Sequence, residues 1–341
     1  MNKLRVIGVL ALLLVLQYPL AVHSGEPGFE ALTLSTSSPI TVDGDPSDWG
    51  TFDCPSLPID GNYGVYYYRT INGVQQWIWC DAIGDERTDF ANPDKRVDLV
   101  QFRITGDKNF IYMLFIFNDM SGFNIGDNGG TFIAVTINVN GTGVNEDFAG
   151  YSDTKVHVDA KWKYQVVVNL ADSRYSGQGK RSTIDTLHAN WGAIFYLVDE
   201  GWSFKTDIRA QVGVNLDKNA VEIRIPWEII GVPSGPVYYL RLSLITARGW
   251  SDYDRNLGNT WDIKDQSNAL DAMTTAGPNT WDEVYDGRVD YYADVYFTTT
   301  PPYVPIPEPW FTSIAVASVT VGSIGLGTIL KKRKNKNEKP E

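Results

Sequence analysis

The sequence predicts an all-β protein, and three observations support that fold class. Short apolar runs alternate with turns rich in Gly, Asn, Asp and Pro. Two of these turns, 106–109 and 217–219, separate apolar runs in the manner of β-hairpins. Helix signals are scarce, and the clearest is a single turn at 226–231 that begins with Pro and ends with Gly.

The predicted strands follow from this alternation. Residues 110–117 are apolar on both faces and should form a central strand. Residues 221–225 alternate strictly and should have one buried and one solvent-facing side. The full set of predicted strands is 31–35, 65–70, 76–82, 97–105, 110–118, 132–140, 164–170, 193–198, 208–215, 220–225, 237–248 and 291–297.

Both ends of the chain carry membrane-directing patterns. Residues 1–24 resemble a cleaved secretory signal, with an uncleaved anchor as the alternative. Residues 310–330 lack charge and are long enough to cross a bilayer, with a buried soluble helix as the alternative. The basic tail 331–341 predicts a cytoplasmic C-terminus. We therefore expect a single-pass cell-membrane protein whose domain, 25–297, is displayed outside the cell.

A proline-rich stretch separates that domain from the apolar span. Residues 298–309 contain five prolines and are predicted to form a stalk. Within it, Pro307-Glu308-Pro309, followed by the span and the basic tail, resembles the Pro-Glu-Pro sorting signals read by exosortase-type enzymes. That resemblance implies a sorting protease as a partner and removal of the span.

The charge of the chain limits its partners. The 341 residues carry a formal net charge of −12. Lys3 and Arg5 of the signal contribute two positive charges and the tail contributes a net four, so the displayed part carries −18. An acidic surface repels nucleic acid and attracts cations, and export argues against cytosolic cofactors and phosphate chemistry.

Two cysteines, Cys54 and Cys80, lie in the exported part, where disulfides persist. We predict a bridge between them, which would stabilise the fold by roughly 3 to 4 kcal/mol through chain entropy. Two free buried thiols are the alternative.

Clustered acidic residues suggest a metal. Asp81, Asp85 and Asp89 fall within one short segment, and calcium takes six to eight hard oxygen ligands from such loops. We predict these three carboxylates as calcium ligands, because a bound dication offsets the self-repulsion of an acidic domain. A solvated acidic loop without metal is the alternative.

Catalytic motifs are missing from the sequence. It contains no Gly-x-Ser-x-Gly elbow, phosphate loop, His-Glu-x-x-His zinc motif or Cys-x-x-Cys pair. Acid pairs suited to glycoside hydrolysis are always available among 41 acidic residues, so their presence carries no weight. We predict a protein without catalytic activity, with an extracellular glycoside hydrolase as an alternative.

Three short patches carry a family resemblance. The stretch 40–49 reads Ile-Thr-Val-Asp-Gly-Asp-Pro-Ser-Asp-Trp, 221–227 reads Val-Glu-Ile-Arg-Ile-Pro-Trp and runs on to Gly231, and 77–85 combines Trp-Ile-Trp with two aspartates. Together they resemble family 9 carbohydrate-binding modules and the related dopamine-monooxygenase-N-terminal-like (DOMON-like) sandwiches, including the C-terminal module of glucodextranase. The resemblance implies a two-sheet jelly-roll-like β-sandwich, often with structural calcium, and in the true modules an aromatic clamp on terminal sugars.

Aromatic side chains are the candidates for sugar binding. They make up 13% of the chain, with 11 Trp and 18 Tyr, and an aromatic face stacks well on a pyranose ring. Core packing is the alternative for any one Trp, and we expect Trp49 and Trp227 in the core. The predicted sugar-binding residues are loop tryptophans and the carboxylates near them: Trp202, Trp250, Trp261, Trp281, Asp252, Asp262 and Asp282.

These inferences combine into one leading hypothesis, a surface-displayed sandwich without catalytic activity that binds polysaccharide or a cell-envelope glycan. A structural or adhesive envelope protein without sugar affinity is the second hypothesis. One glycosylation sequon, beginning at Asn140, lies at a predicted strand end.

Overall fold

The structure is a computed structural model. It describes residues 31–58, 64–86, 95–120, 131–148, 154–170, 195–199, 209, 211–235, 238–248, 271–274 and 288–299. The chain divides into two compact units, Met1–Pro302 and Tyr303–Glu341, and every described residue belongs to the first. The predicted signal 1–24, span 310–330 and tail 331–341 lie outside the described residues. Within the described ranges, no helix has the length and apolar character needed to cross a bilayer.

Strands dominate the described part of the chain. The strands are β1 Leu32–Thr33, β2 Val65–Ile71, β3 Val74–Cys80, β4 Leu99–Gly106, β5 Phe110–Phe117, β6 Thr131–Val139, β7 Lys155–Val156, β8 Tyr164–Asn169, β9 Phe195–Asp199, β10 Gln211–Asn215, β11 Ala220–Pro226, β12 Tyr238–Arg248, β13 Asp271–Ala272, β14 Arg288–Val289 and β15 Ala293–Thr298. One α-helical turn, α1, spans Trp227–Ile230, and 3₁₀ turns span Pro46–Trp49, Val158–Ala160 and Leu216–Lys218.

The strands form two large sheets and one small one. A seven-stranded sheet has the order β1-β15-β12-β6-β8-β9, with β13 also pairing to β12. A six-stranded sheet has the order β10-β11-β5-β4-β3-β2 and is antiparallel throughout. In the seven-stranded sheet, β1 pairs parallel to β15 and the other pairs are antiparallel. A separate ribbon joins β7 to β14.

A shared core makes the two large sheets a β-sandwich, as predicted. Trp79, Phe102 and Phe115 of the six-stranded sheet are fully buried in the same cluster as Val135 and Leu242 of the seven-stranded sheet. Successive strand residues point to opposite faces, so alternate residues of each strand reach this cluster. Burial of these side chains, each contributing about 1.5 to 3 kcal/mol, supplies the main drive for packing.

A second apolar layer covers the outer face of the six-stranded sheet. Ile40 and Trp49, in the segment 40–50, pack there against Tyr112 and Leu114 of β5. Because β5 also contributes to the main core and lies inside its sheet, it is a central strand buried on both sides, as predicted.

The same layer corrects the prediction for β11. Strict alternation at 221–225 predicted a solvent-facing side, but Glu222 is fully buried and Arg224 is half-buried. That prediction was wrong because the covering segment, 40–50, is far away in sequence. Alternation within a strand predicts which residues share a face of that strand. It does not predict which other parts of the chain pack on the face.

Most of the local predictions are confirmed. Each predicted strand has a counterpart with bounds shifted by a few residues, both predicted hairpins are antiparallel pairs, and α1 occupies the predicted helical turn. The strands β7, β13 and β14 were not predicted, because a pair of residues shows no periodicity. Thr298, the predicted start of the stalk, is the last residue of β15.

Candidate metal centre

A cluster of acidic side chains lies where the two large sheets meet at one end of the sandwich. Asp81 directly follows β3, and Asp98 directly precedes β4, both in the six-stranded sheet. Asp271 opens β13, which pairs with β12 of the seven-stranded sheet. Asp85 and Glu86 lie in the turn after Asp81. We call these five residues the carboxylate cluster.

Three members lie close enough to share one ion. One carboxylate oxygen from each of Asp81, Asp85 and Asp271 lies within 4.8 Å of the other two. All three side chains are buried, with 2%, 5% and 1% exposure. Asp98 and Glu86 are equally buried beside them.

Backbone amides hold part of the carboxylate cluster in place. Asp271 Oδ2 accepts a hydrogen bond from Leu99 N at 2.7 Å, and its Oδ1 accepts one from Ala272 N at 2.7 Å. The bond from Leu99 crosses between the sheets, so the carboxylate of Asp271 is positioned by the strand that follows Asp98. The fold therefore fixes the position of the Asp271 carboxylate.

Several oxygens in the cluster receive no such support. Within the described residues, Asp81 Oδ2, Asp98 Oδ1 and both carboxylate oxygens of Asp85 have no hydrogen-bond partner. Burying a polar atom without a partner costs on the order of 1 to 3 kcal/mol, and burying an unpaired charge costs more. These carboxylates therefore require a proton or a cation.

Burial and mutual repulsion raise the pKa values of the cluster. Burial, followed by the charges of neighbouring carboxylates, holds the pKa of Asp81 and of Asp271 well above the usual range. Burial, with a second contribution from Asp98, raises the pKa of Asp85 to about 7. Burial also raises the pKa of Asp98 to about 6, against the opposing hydrogen bond from Asn118.

The described triad offers only carboxylate oxygens as ligands. Carboxylate oxygens are hard ligands that favour calcium, magnesium or manganese, whereas zinc and copper sites draw on His and Cys. Asp81 also lines a cavity of about 1040 Å³ on the outer side of the six-stranded sheet, together with Ile83 and Gln101. The buried triad can hold a metal ion.

Part of this candidate metal centre was predicted from the sequence. Asp81 and Asp85 were predicted as ligands and both belong to the triad. Asp89, the third predicted ligand, lies outside the described residues. Asp271 and Asp98 were missed, although each is a lone carboxylate inside an apolar run, Leu270-Asp271-Ala272 and Val97-Asp98-Leu99. A charged residue embedded in such a run is the signal that would have found them.

The cysteine pair lies next to this centre. Cys54 and Cys80 form a disulfide with a Cα–Cα distance of 5.7 Å. Cys80 ends β3 and precedes Asp81, so the bridge ties the segment after Trp49 to the strand that delivers the first ligand.

The predicted sugar-binding residues lie elsewhere. Trp202, Trp250, Asp252, Trp261, Asp262, Trp281 and Asp282 all lie outside the described residues. Trp49 and Trp227 are buried in the core, as expected. Asn140 is exposed just after β6, with a left-handed φ of 48°, and its side-chain oxygen accepts a hydrogen bond from Tyr239 N at 2.8 Å.

A second buried carboxylate, Glu222 of β11, has a different environment. Its Oε2 accepts hydrogen bonds from Asp43 N at 3.0 Å and Gly44 N at 2.6 Å. Its Oε1 accepts one from Trp49 Nε1 at 2.9 Å. Burial raises its pKa to about 7 despite these donors. We call this arrangement the Glu222 lock.

The Glu222 lock depends on a glycine. Gly44 has a φ of 85°, and a Cβ there would lie 2.7 Å from the carbonyl carbon of Val214. Only glycine therefore allows the turn to approach β10 closely enough for its amide to reach Glu222. The lock joins the patch 40–49 to the patch 221–227, two of the three that carry the family resemblance.

Comparisons with known proteins do not assign a family. No protein-family model matches this chain, and no curated protein matches its sequence. The resemblance to carbohydrate-binding modules therefore stays a prediction.

Proposed function

We propose that this chain is an exported, membrane-anchored binding module without catalytic activity, built on a jelly-roll-like β-sandwich. Structural calcium joins its two sheets, and carbohydrate is its ligand. The observation that carries the proposal is the carboxylate cluster, in which buried acidic side chains from both sheets converge and oxygens of Asp81, Asp85 and Asp98 have no hydrogen-bond partner among the described residues.

Calcium is the ion that suits this centre best. It accepts six to eight oxygen ligands in flexible geometry, whereas magnesium demands near-ideal octahedral coordination and keeps several waters. Extracellular modules bind calcium with dissociation constants of about 10⁻⁴ to 10⁻³ M. An ion shared by Asp81 and Asp271 would cross-link strands that otherwise meet only through packing and hydrogen bonds.

The chain segment that ends just before Asp271 relates the metal centre to the proposed carbohydrate site. Thr246 of β12 pairs with Asp271 of β13, so the connection 249–270 leaves and returns at neighbouring positions beside the metal centre. Two predicted sugar-binding tryptophans, Trp250 and Trp261, lie in that connection. Calcium bound at Asp271 would fix the C-terminal end of this connection. That placement supports a role for calcium in presenting the tryptophans to a glycan.

Thermal melting tests the calcium part of the proposal. The purified full-length chain should melt at a higher temperature with calcium than with chelator, and Asp271→Asn should reduce the difference. Asp217→Asn is the matched control, because Asp217 is an exposed carboxylate outside the centre. Equal midpoints for the original chain in both conditions would refute a structural calcium.

Glycan binding tests the second part. The full-length chain, in calcium, should bind a polysaccharide or cell-envelope glycan on an array, and replacing Trp261 and Trp281 with Ala should abolish that binding. Unchanged surface assembly without any glycan binding would favour a structural or adhesive envelope protein. Release of reducing sugar from a substrate panel would favour a glycoside hydrolase.

The anchor belongs to the same proposal. The span 310–330 would hold the domain outside the cell with its basic tail in the cytoplasm, unless a sorting protease removes the span at the Pro-Glu-Pro stretch. The intact mass of the mature protein distinguishes the two, because removal of the span also removes the tail.

A further inference from the structure

We propose that the carboxylate cluster holds two divalent cations, bridged by Asp85, rather than one. This inference rests on the proposed calcium function and specifies the composition of the site. The inner position would use Asp81, Asp85 and Asp271. The outer position would use Asp85 and Asp98, with Glu86 beside them.

The position of Asp98 relative to the triad supports a second cation position. Asp98 Oδ2 accepts a hydrogen bond from Gly84 N at 2.8 Å, which places this carboxylate against the residue that precedes Asp85. The next residue, Leu99, donates to Asp271 at 2.7 Å. Asp98 thus borders the triad, yet the group whose oxygens all lie within 4.8 Å of one another does not include it.

The environment of the Asp85 carboxylate supports its role as the bridge between two cations. Its exposure is 5%, and neither carboxylate oxygen has a hydrogen-bond partner within the described residues. A carboxylate with both oxygens unengaged can place one oxygen on each of two cations. Paired metal ions in proteins commonly lie about 3.5 to 4 Å apart, a spacing that a shared carboxylate spans.

The charge of the carboxylate cluster also favours a second cation. The four aspartates of the cluster are buried together, and one divalent cation offsets only two of their charges. The remaining buried charges would repel one another in a poorly solvated region. A second cation offsets the other two, and Lys95 adds a positive charge that acts on Asp98.

Metal stoichiometry tests this inference on the full-length chain. Equilibrium dialysis against calcium in excess potassium chloride, followed by elemental analysis, should give two calcium ions per chain. Asp98→Asn should reduce the count from two to one, because it removes a ligand of the outer position alone. Asp217→Asn, the surface control, should keep two.

Each outcome decides something different. One ion per chain, unchanged by Asp98→Asn, would overturn the two-cation centre while leaving the proposed calcium function intact. No bound ion would overturn both. If Asp98→Asn fails to fold, the count on the original chain still decides, and Glu86→Gln then serves as the second probe, with an expected loss of one ion.

Discussion

The Glu222 lock and the carboxylate cluster bury acidic groups to the same extent, but they are satisfied in opposite ways. Glu222 receives three N–H donors, from two backbone amides and an indole. Asp85 receives none from the described residues. Burial raises the pKa of both groups to about 7.

This difference in hydrogen-bond donors distinguishes a structural carboxylate, Glu222, from one that is suited to binding a cation, Asp85. Where the fold itself supplies donors, as at Glu222, the carboxylate is a finished part of the structure and needs no ligand. Where the fold gathers several carboxylates and supplies few donors, as at Asp85, the buried group requires a proton or a cation. The following predictions test that contrast.

The largest expected effect is at the Glu222 lock. Glu222→Ala would leave the amides of Asp43 and Gly44 and the indole of Trp49 without an acceptor. We expect a loss of about 3 to 5 kcal/mol in the free energy of unfolding, because each buried donor left unpaired costs about 1 to 3 kcal/mol. Urea denaturation measures it, and the loss should be the same with calcium or chelator. A loss that depends on calcium would contradict the separation of the two regions.

Removal of calcium should have the next largest effect. A ligand at about 100 times its dissociation constant stabilises the native state by about 2.7 kcal/mol, which corresponds to a shift of about 5 to 10 °C in Tm for a domain of this size. Calorimetry with calcium and with chelator measures the shift. Asp85→Asn should lose the response, while Glu222→Gln should keep it, and a response retained in Asp85→Asn would argue against the assigned bridge.

The pH dependence of stability should distinguish Glu222 from a surface carboxylate. Because its pKa is raised from 4.5 to about 7 in the folded protein, the folded state holds this proton more tightly than the unfolded chain. Its contribution is fully present below pH 4.5 and is lost as the pH rises through 7, by at most about 1.4 kcal/mol per pH unit.

Denaturation of the original chain and of Glu222→Gln at pH 5, 6, 7 and 8, at the same calcium concentration, isolates that contribution, since titration of the carboxylate cluster is common to both proteins. The original chain should lose stability across this series more steeply than Glu222→Gln, which cannot titrate. Parallel curves for the two proteins would show that Glu222 does not hold the proton.

The smallest effect is expected at an exposed carboxylate. Asp217 lies in the turn between β10 and β11 and is exposed. Asp217→Asn should change the free energy of unfolding by less than about 0.5 kcal/mol at every pH and calcium concentration. A larger change would mean that loss of a surface charge alone contributes to the effects at the buried sites.

Sequence patterns were sufficient where structure is local. Alternation and turn residues predicted the longer strands, the hairpins and α1, and the wholly apolar run of β5 predicted its position inside a sheet. The acid-rich turn after β3 predicted Asp81 and Asp85. Each of these features depends on residues that are neighbours in the chain.

The failures concern contacts between distant parts of the chain. Glu222 was predicted to face solvent because its cover, the segment 40–50, is separated from it by most of the domain. Asp271 was missed because β13 is two residues long and is defined only by its pairing with β12. For Asp271, a carboxylate between apolar neighbours was the available clue. In both cases the partner of the carboxylate could be seen only in three dimensions.

The parallel pairing of β1 with β15 has a consequence for how the domain matures. Leu32 lies opposite Phe297, so the earliest and latest described strands are neighbours at one edge of the seven-stranded sheet. Because a chain is synthesised from its N-terminus, β1 cannot pair with β15 until the end of the domain has been made. Until then, the edge of β15's other neighbour, β12, is open to pairing with another chain. The sandwich is completed in a late step, when synthesis of the whole domain has ended.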